Sequence, residues 1–128
     1  MDDFQSWIIS GADVNYRDHL GFTALMAGAK NGDLKMVKLL VTYGAHINLK
    51  DNKHFCALHY ATLYNNLSVV KYLVENGAVV TDAIYMTAIH KEHKRINLYF
   101  DSLDISKQIL KQLPREYKEA MERLKQEK

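Results

Sequence analysis

The sequence predicts an all-α fold in which pairs of helices stack into a solenoid. A Gly-Ala turn recurs every 33 residues, as GADVN at 11–15, GAHIN at 44–48 and GAVVT at 77–81. Between these turns, apolar residues return at the three- and four-residue spacing of an amphipathic helix. A helix pair that has no partner for its apolar side within its own unit must bury that side against neighbouring units.

Two full units, residues 18–50 and 51–83, align without a gap at this interval, with Asp18 on Asp51. In the first of them we predict helices over residues 23–31 and 33–43, because apolar positions repeat at helical spacing on either side of Asn31-Gly32. Glycine can adopt the left-handed conformation that ends a helix, and the aspartate that follows it at position 33 can cap the next helix.

The second full unit has Asn65-Asn66 at the turn between its helices. Asparagine tolerates the left-handed conformation better than most residues and also caps helices well. We therefore expect the same turn in both units, with Asn66 as the cap of the helix that follows.

Partial units flank the two full ones. Residues 1–17 match only the last part of a unit, and residues 83–100 match only the helical part of the next. We predict one repeat domain over residues 1–100, whose two ends act as caps, and a helical extension over residues 101–128.

The last partial unit begins 26 residues after the matching part of the second full unit. This offset places His93 and Arg95 where the second unit has Leu67 and Val69, so we expect a polar outer side on the capping unit. The run KEHKR at 91–95 could instead form a basic binding patch, but we favour a solvated surface.

The repeated units resemble the ankyrin repeat. The motif D-x-x-G-x-T-x-L near the start of a unit and VKLLVTYGAHIN near its end carry the resemblance, which covers roughly residues 4–100. It implies an ankyrin-repeat solenoid. The family motif T-P-L-H is split here, because Thr23 keeps the threonine and His59 keeps the histidine, and His54 stands where the family prefers glycine.

Composition and charge favour an ordinary globular protein. The chain has 128 residues, of which 48% are apolar and 25% are charged, and its formal net charge is +2. Charges of both signs are interspersed, unlike the basic footprint of a nucleic-acid binder, and no apolar run suggests a membrane partner. Because the single cysteine cannot form an internal disulfide and no signal peptide is evident, we expect the cytoplasm, with secretion into a host cell left open.

The sequence contains no motif of a catalytic, cofactor or metal site. A Gly-rich phosphate loop, G-x-S-x-G, Cys-x-x-Cys and H-E-x-x-H are all missing. His90 and His93 lack the third ligand that a catalytic zinc needs, and Cys56 with His59 occupies positions that the family uses for turn structure. We predict that the chain is not an enzyme and uses neither cofactor nor metal.

The resemblance implies that a partner protein binds the concave face, which the turn tips and the exposed side of each first helix form. The matching positions in this chain are His19, Leu20, Phe22, Asn52, Lys53 and Phe55 at the tips, and Lys30, Asn31, Leu63 and Tyr64 on the first helices. Exposed apolar side chains rimmed by polar ones mark interaction sites. We expect Leu20 and Tyr64 to be exposed, whereas Phe22 and Phe55 could equally pack under the turns.

The extension carries a helical stripe of apolar residues that Pro114 interrupts. Opposite charges at i, i+4, Arg115 with Glu119 and Glu119 with Arg123, support a helix after the proline. We expect the apolar positions to cover the open end of the last unit, chiefly through Ile105, Ile109, Leu110 and Leu113, with residues 115–128 contributing less.

Two functions from different classes fit these features. We favour a monomeric, non-catalytic interaction module that binds one partner protein, as a regulator, inhibitor or adaptor. The alternative is a structural component that assembles as a dimer, or into a larger complex, through residues 103–128.

Overall fold

The computed structural model of the chain describes Ser6 and residues 10–11, 13–103 and 114–126. Within these residues it contains seven α-helices and no strand. The helices are α1 (Ala24–Asn31), α2 (Leu34–Thr42), α3 (Ala57–Leu63), α4 (Leu67–Glu75), α5 (Asp82–His90), α6 (Lys94–Asp101) and α7 (Arg115–Gln126). None of these helices is long and apolar enough to cross a membrane.

The helices stack as three consecutive pairs. The first helices α1, α3 and α5 pack against one another in order, and so do the second helices α2, α4 and α6. Helix α7 packs against both members of the last pair. The predicted all-α stack of helix pairs is therefore confirmed.

The second helices bury equivalent apolar side chains in each unit. Leu40, Leu73 and Phe100 occupy the same position of α2, α4 and α6, and all three are fully buried. Each of these helices therefore faces the same kind of neighbour, which explains why the apolar pattern repeats with the turn.

The offset of 26 residues predicted for the last unit is wrong at its second helix. His93 is the N-cap of α6, as Asn66 is of α4, so Ile96 takes the buried position of Val69 and Arg95 does not. The offset between these N-caps is 27, whereas it is 25 between the N-caps of the preceding helices, because α5 has nine residues and α3 has seven.

The predicted turn between paired helices is confirmed in both full units. Gly32 and Asn65 have left-handed φ angles of 70° and 61°. The carboxylate of Asp33 accepts the backbone N–H of Met36 at 3.0 Å, so it caps α2 as expected.

The predicted role of Asn66 as a side-chain cap of α4 is wrong. Its Nδ2 instead donates to the carbonyl oxygens of Ala29 at 2.7 Å and Lys30 at 3.1 Å, at the end of α1 in the preceding unit. His93 acts in the same way one unit later, with its Nε2 3.1 Å from the carbonyl oxygen of Leu63. These side chains satisfy helix-end carbonyls that have no partner within their own helix.

Asparagine side chains also join the Gly-Ala turns of neighbouring units. Asn48 Oδ1 accepts the N–H of Val79 at 3.1 Å while its Nδ2 donates to the carbonyl oxygen of Gly77 at 3.1 Å. Asn15 makes the same pair of bonds to the turn at residues 44–46. Thr81, at the third equivalent position, caps α5 instead by accepting the N–H of Ile84.

Helix α7 begins after Pro114, as predicted, and covers the end of the stack. Leu124 is 2% exposed, and Tyr117 and Ala120 pack against the core. The guanidinium of Arg123 also lies 2.9 Å from the carboxylate of Glu92, in the turn between α5 and α6. This helix therefore contributes more to the core than its few apolar residues suggested, while the four apolar positions predicted between residues 105 and 113 lie outside the described residues.

Asn97 occupies a core position that holds valine in the two preceding units, Val37 and Val70. It is fully buried, and neither Nδ2 nor Oδ1 has a hydrogen-bond partner among the described residues. A buried polar group without a partner loses its hydration and gains nothing in return.

We expect Asn97→Val to raise the free energy of unfolding by about 1–2 kcal/mol, because it removes an unpaired amide and restores the side chain of the other units. Val70→Asn is the matched control and should lower it by at least about 2 kcal/mol. Urea denaturation followed by circular dichroism measures both changes. A destabilised Asn97→Val would show that the amide has a partner that stabilises the fold.

We expect Leu124→Ala to lower the free energy of unfolding by about 2–4 kcal/mol, because it leaves a cavity under α7. Leu98, which is 51% exposed on α6, provides the matched control, and its replacement by alanine should change stability by less than about 0.5 kcal/mol. Sedimentation of the full chain and of both variants accompanies the urea titration. A dimer that Leu124→Ala dissociates would mean that Leu124 is buried between two chains.

Candidate functional site

One groove gathers most of the residues predicted to bind a partner. It lies between the turn tips of the two full units, residues 18–22 (the first tip) and 51–55 (the second tip), and helices α1 and α3, and its volume is about 390 Å³. We call it the tip groove. Eight of the ten predicted residues line it, namely Leu20, Phe22, Lys30, Asn52, Lys53, Phe55, Leu63 and Tyr64, whereas His19 and Asn31 do not.

Each tip is built around an aspartate. Asp51 Oδ1 accepts the backbone N–H groups of Lys53 at 2.9 Å and Phe55 at 3.0 Å. Asp18 does the same in the first tip with the N–H groups of Leu20 and Phe22, at 2.9 and 2.8 Å. The two carboxylates therefore fix the shape of the tips, and the recurrence of aspartate at this position was the sequence signal for that role.

Hydrogen bonds also tie the second tip to the first. The backbone N–H of Asn52 donates to the carbonyl oxygen of Leu20 at 2.9 Å, and its Nδ2 donates to that of His19 at 3.1 Å. Gly21 lies directly beneath, with a φ of 77°, and a Cβ atom there would come within 2.9 Å of Asn52 Oδ1. Asn52, predicted as a partner contact, thus uses its side-chain amide to hold the two tips together.

Tyr60 anchors the second tip to α3. Its hydroxyl donates to Asp51 Oδ2, and Asp51 is only 6% exposed. Burial raises the pKa of Tyr60 to about 12, helped by the hydrogen bond to Asp51 and by the negative charge of that carboxylate. Sequence reasoning missed this tyrosine, because the equivalent position in the first unit is Ala27 and no recurrence marks it.

The pKa of Asp51 is lowered despite its burial. Burial by itself raises the pKa of a carboxyl, but the hydrogen bonds from Tyr60, Phe55 and Lys53 and the positive charge of Lys53 outweigh it. Asp51 is therefore a charged group that is fully engaged within the fold.

Aromatic rings form the floor of the tip groove. Phe22 and Phe55 are half-buried, pack against the core, and meet the ring of Tyr60 edge-on at 5.5 and 5.7 Å between centroids. Both alternatives weighed for these phenylalanines therefore hold in part, since each packs under a turn and still lines the groove.

Two side chains at the rim are exposed, as predicted. Leu20 is 56% exposed and Tyr64 is 49% exposed. The ammonium group of Lys30 lies 5.6 Å from the centre of the Tyr64 ring, which is within the range of a cation–π contact. The rim of the groove thus offers apolar and cationic contacts side by side.

The side chains that resembled a nucleophile and base have other surroundings. Cys56 is buried, and the ring of His59 stacks on Phe55 with 3.9 Å between centroids. Burial lowers the pKa of His59, against the opposite effect of the Asp51 charge. Among the described residues, no group of three or more His, Cys, Asp or Glu side chains is placed to hold a metal ion.

We expect the stability difference between the wild type and Asp51→Asn to depend on pH. At neutral pH the charged carboxylate should stabilise the fold by about 2 kcal/mol relative to the amide. Because its folded-state pKa lies below the model value of 3.8, this contribution is present above that value and is lost as the pH falls through the folded-state pKa. Urea titrations at several pH values measure the difference.

The variant Tyr60→Phe provides the control for this pH dependence. It removes one donor to Asp51, so the pKa of the carboxyl should rise and the loss of stability should begin at a higher pH. The assignment would be wrong if the wild type and Asp51→Asn lost stability in parallel as the pH fell.

The comparisons with known proteins agree with this geometry. A family model described as ankyrin repeats in three copies matches residues 2–84, which is more than half of the chain. A search of the curated proteins found no match. Recurring turns, paired helices and the family match lead to one conclusion: the chain belongs to the ankyrin-repeat family, whose repeats are generally protein–protein interaction modules and typically non-catalytic.

Proposed function

We propose that this chain is a non-catalytic module that binds a partner protein on its concave face, with the tip groove at the centre of the interface. It would act as a regulator, inhibitor or adaptor. The observation that carries this proposal is the exposure of Leu20 and Tyr64 at the rim of a groove whose floor is aromatic. Large side chains in such a setting are the usual anchors of protein interfaces.

The rigidity of the tips supports the same proposal. Backbone and side-chain hydrogen bonds hold the two tips to each other, and Tyr60 holds the second tip to α3. A surface that is already ordered loses little conformational entropy when a partner binds. The groove is therefore suited to recognition by a fixed shape.

We also propose that the chain works as a monomer in the cytoplasm. Leu124 is buried against its own chain, which supports a capping role for α7 rather than the alternative in which residues 103–128 join two chains. The repeat domain over residues 1–100 and the extension over 101–128 would then form one unit. The single buried cysteine suits a reducing compartment.

The double variant Leu20→Glu with Tyr64→Glu tests the groove. We expect it to fold and to weaken partner binding by more than about thirtyfold, because it replaces two anchors with charges. Affinity capture from a lysate of the source organism identifies the partner, and calorimetry with the purified partner measures the change.

The matched control is Leu98→Glu with Tyr43→Glu. Both side chains are 51% exposed, on α6 and at the end of α2, so the control introduces the same charges on the opposite, outer helices. Binding should survive in the control. A partner that the groove variant retains and the control variant loses would place the interface on the outer helices and refute the proposal.

A further inference from the structure

A second hollow lies beside the tip groove, between the second tip and the start of α5. Its volume is about 360 Å³, and its lining includes Lys50, Lys53, His54 and Phe55 on one side and Ala83 on the other. We call it the notch. Lys53 and Phe55 line both hollows, so the notch continues the surface of the tip groove.

The notch exists because the third unit has no turn tip. In the first unit, the second tip covers the equivalent surface, where Asn52 donates to the carbonyl oxygens of His19 and Leu20. The third unit passes directly from its Gly-Ala turn to Thr81, the N-cap of α5. The carbonyl oxygens of Asn52 and Lys53, equivalent to those of His19 and Leu20, accept no hydrogen bond from the described part of the chain.

The covered unit shows what kind of group belongs at one wall of the notch. Arg17 Nη2 donates to the carbonyl oxygen of Lys50 in the next unit, at 2.6 Å. Lys50 stands at the position of Arg17 one unit later, and its ammonium group lines the notch, where the chain supplies no oxygen of a following tip. An oxygen of an occupant would complete the pattern.

His54 excludes a further tip of the same kind. It occupies the position of Gly21 and keeps the left-handed backbone, with a φ of 66°. A Cβ at Gly21 would come within 2.9 Å of the tip that covers it, so a tip placed in the same way on the second unit would collide with the imidazole. Neither a further repeat nor a second copy of this chain can therefore fill the notch by simple stacking.

The charges of the notch favour an acidic occupant. Lys50, Lys53 and His54 line it, and no carboxylate of the described residues does. Asp51 lies next to it in sequence, but its oxygens already accept two backbone N–H groups and the hydroxyl of Tyr60. The N-terminal end of α5 adds a partial positive charge at the far wall.

We propose that the notch binds an acidic segment of the partner protein, with a carboxylate between Lys50, Lys53 and His54 and an apolar side chain against Phe55. This proposal rests on the proposed function, because the same partner would continue from the tip groove into the notch. It gives the notch the task of selecting the partner by charge, and the tip groove the task of binding its apolar anchors.

Two synthetic peptides test the notch without knowledge of the partner. They share the same apolar residues, and one carries glutamates where the other carries lysines. In ¹H–¹⁵N NMR spectra of the full chain, the glutamate peptide should shift the amides of Lys53, His54 and Ala83, and its binding should weaken about threefold or more between low and physiological salt. The lysine peptide should leave these amides unshifted.

Charge reversal provides the second measurement. Lys50→Glu with Lys53→Glu should weaken binding of the glutamate peptide by about tenfold or more. The matched control, Lys35→Glu with Arg95→Glu, makes the same change of charge at exposed positions on α2 and α6 and should bind as the wild type does. Equal shifts with both peptides, or equal binding by both variants, would overturn the proposal.

Two further outcomes are decisive. An oligonucleotide of the same charge that binds the notch more tightly than the glutamate peptide would overturn an acidic protein segment as the occupant. The proposed function fails separately, if the natural partner still binds the groove variant with Leu20→Glu and Tyr64→Glu while the glutamate peptide still requires Lys50 and Lys53.

Discussion

Hydrogen bonds from the turns of one unit to the backbone of its neighbour hold this array in register. Apolar packing between helices supplies most of the stabilisation, but it has no direction and tolerates small displacements. A hydrogen bond fixes distance and angle. Asn15, Asn48 and Asn52 link turns to turns, while Asn66 and His93 link turns to the ends of the preceding helices. The position of every tip, and hence the shape of the tip groove, depends on these links.

The sequence predicts the stack well where neighbouring units are alike. Leu40 and Leu73 meet equivalent surroundings, so their spacing and burial could be inferred from the repeat. The prediction fails at the last unit, where α5 has two more residues than α3 and an ungapped alignment shifts His93 by one position. Asn66 was also misjudged, because capping preferences describe bonds within one unit and its amide bonds to another.

Most of the candidate site could be inferred from the positions of the tips and first helices. Asn31 was included wrongly among the residues that line the groove, since it follows Lys30 by one position and successive residues on a helix point about 100° apart. Tyr60 was missed because its bond to Asp51 joins a helix to a tip and occurs in one unit alone among those described. Likewise, the notch follows from the absence of a tip, and its depth depends on how α5 packs against α3.

The replacement of asparagine by threonine at position 81 has a consequence for how this protein can change in length. Asn15 and Asn48 bond to backbone groups of the next turn, so their bonds do not depend on the side chains found there. A tandem duplication of residues 18–50 would place each copy against a surface that it already fits. An insertion after Thr81 would meet a residue committed to capping α5 and would find no such link. The array is thus open to internal growth and closed at its C-terminal end, and the identity of one side chain draws that boundary.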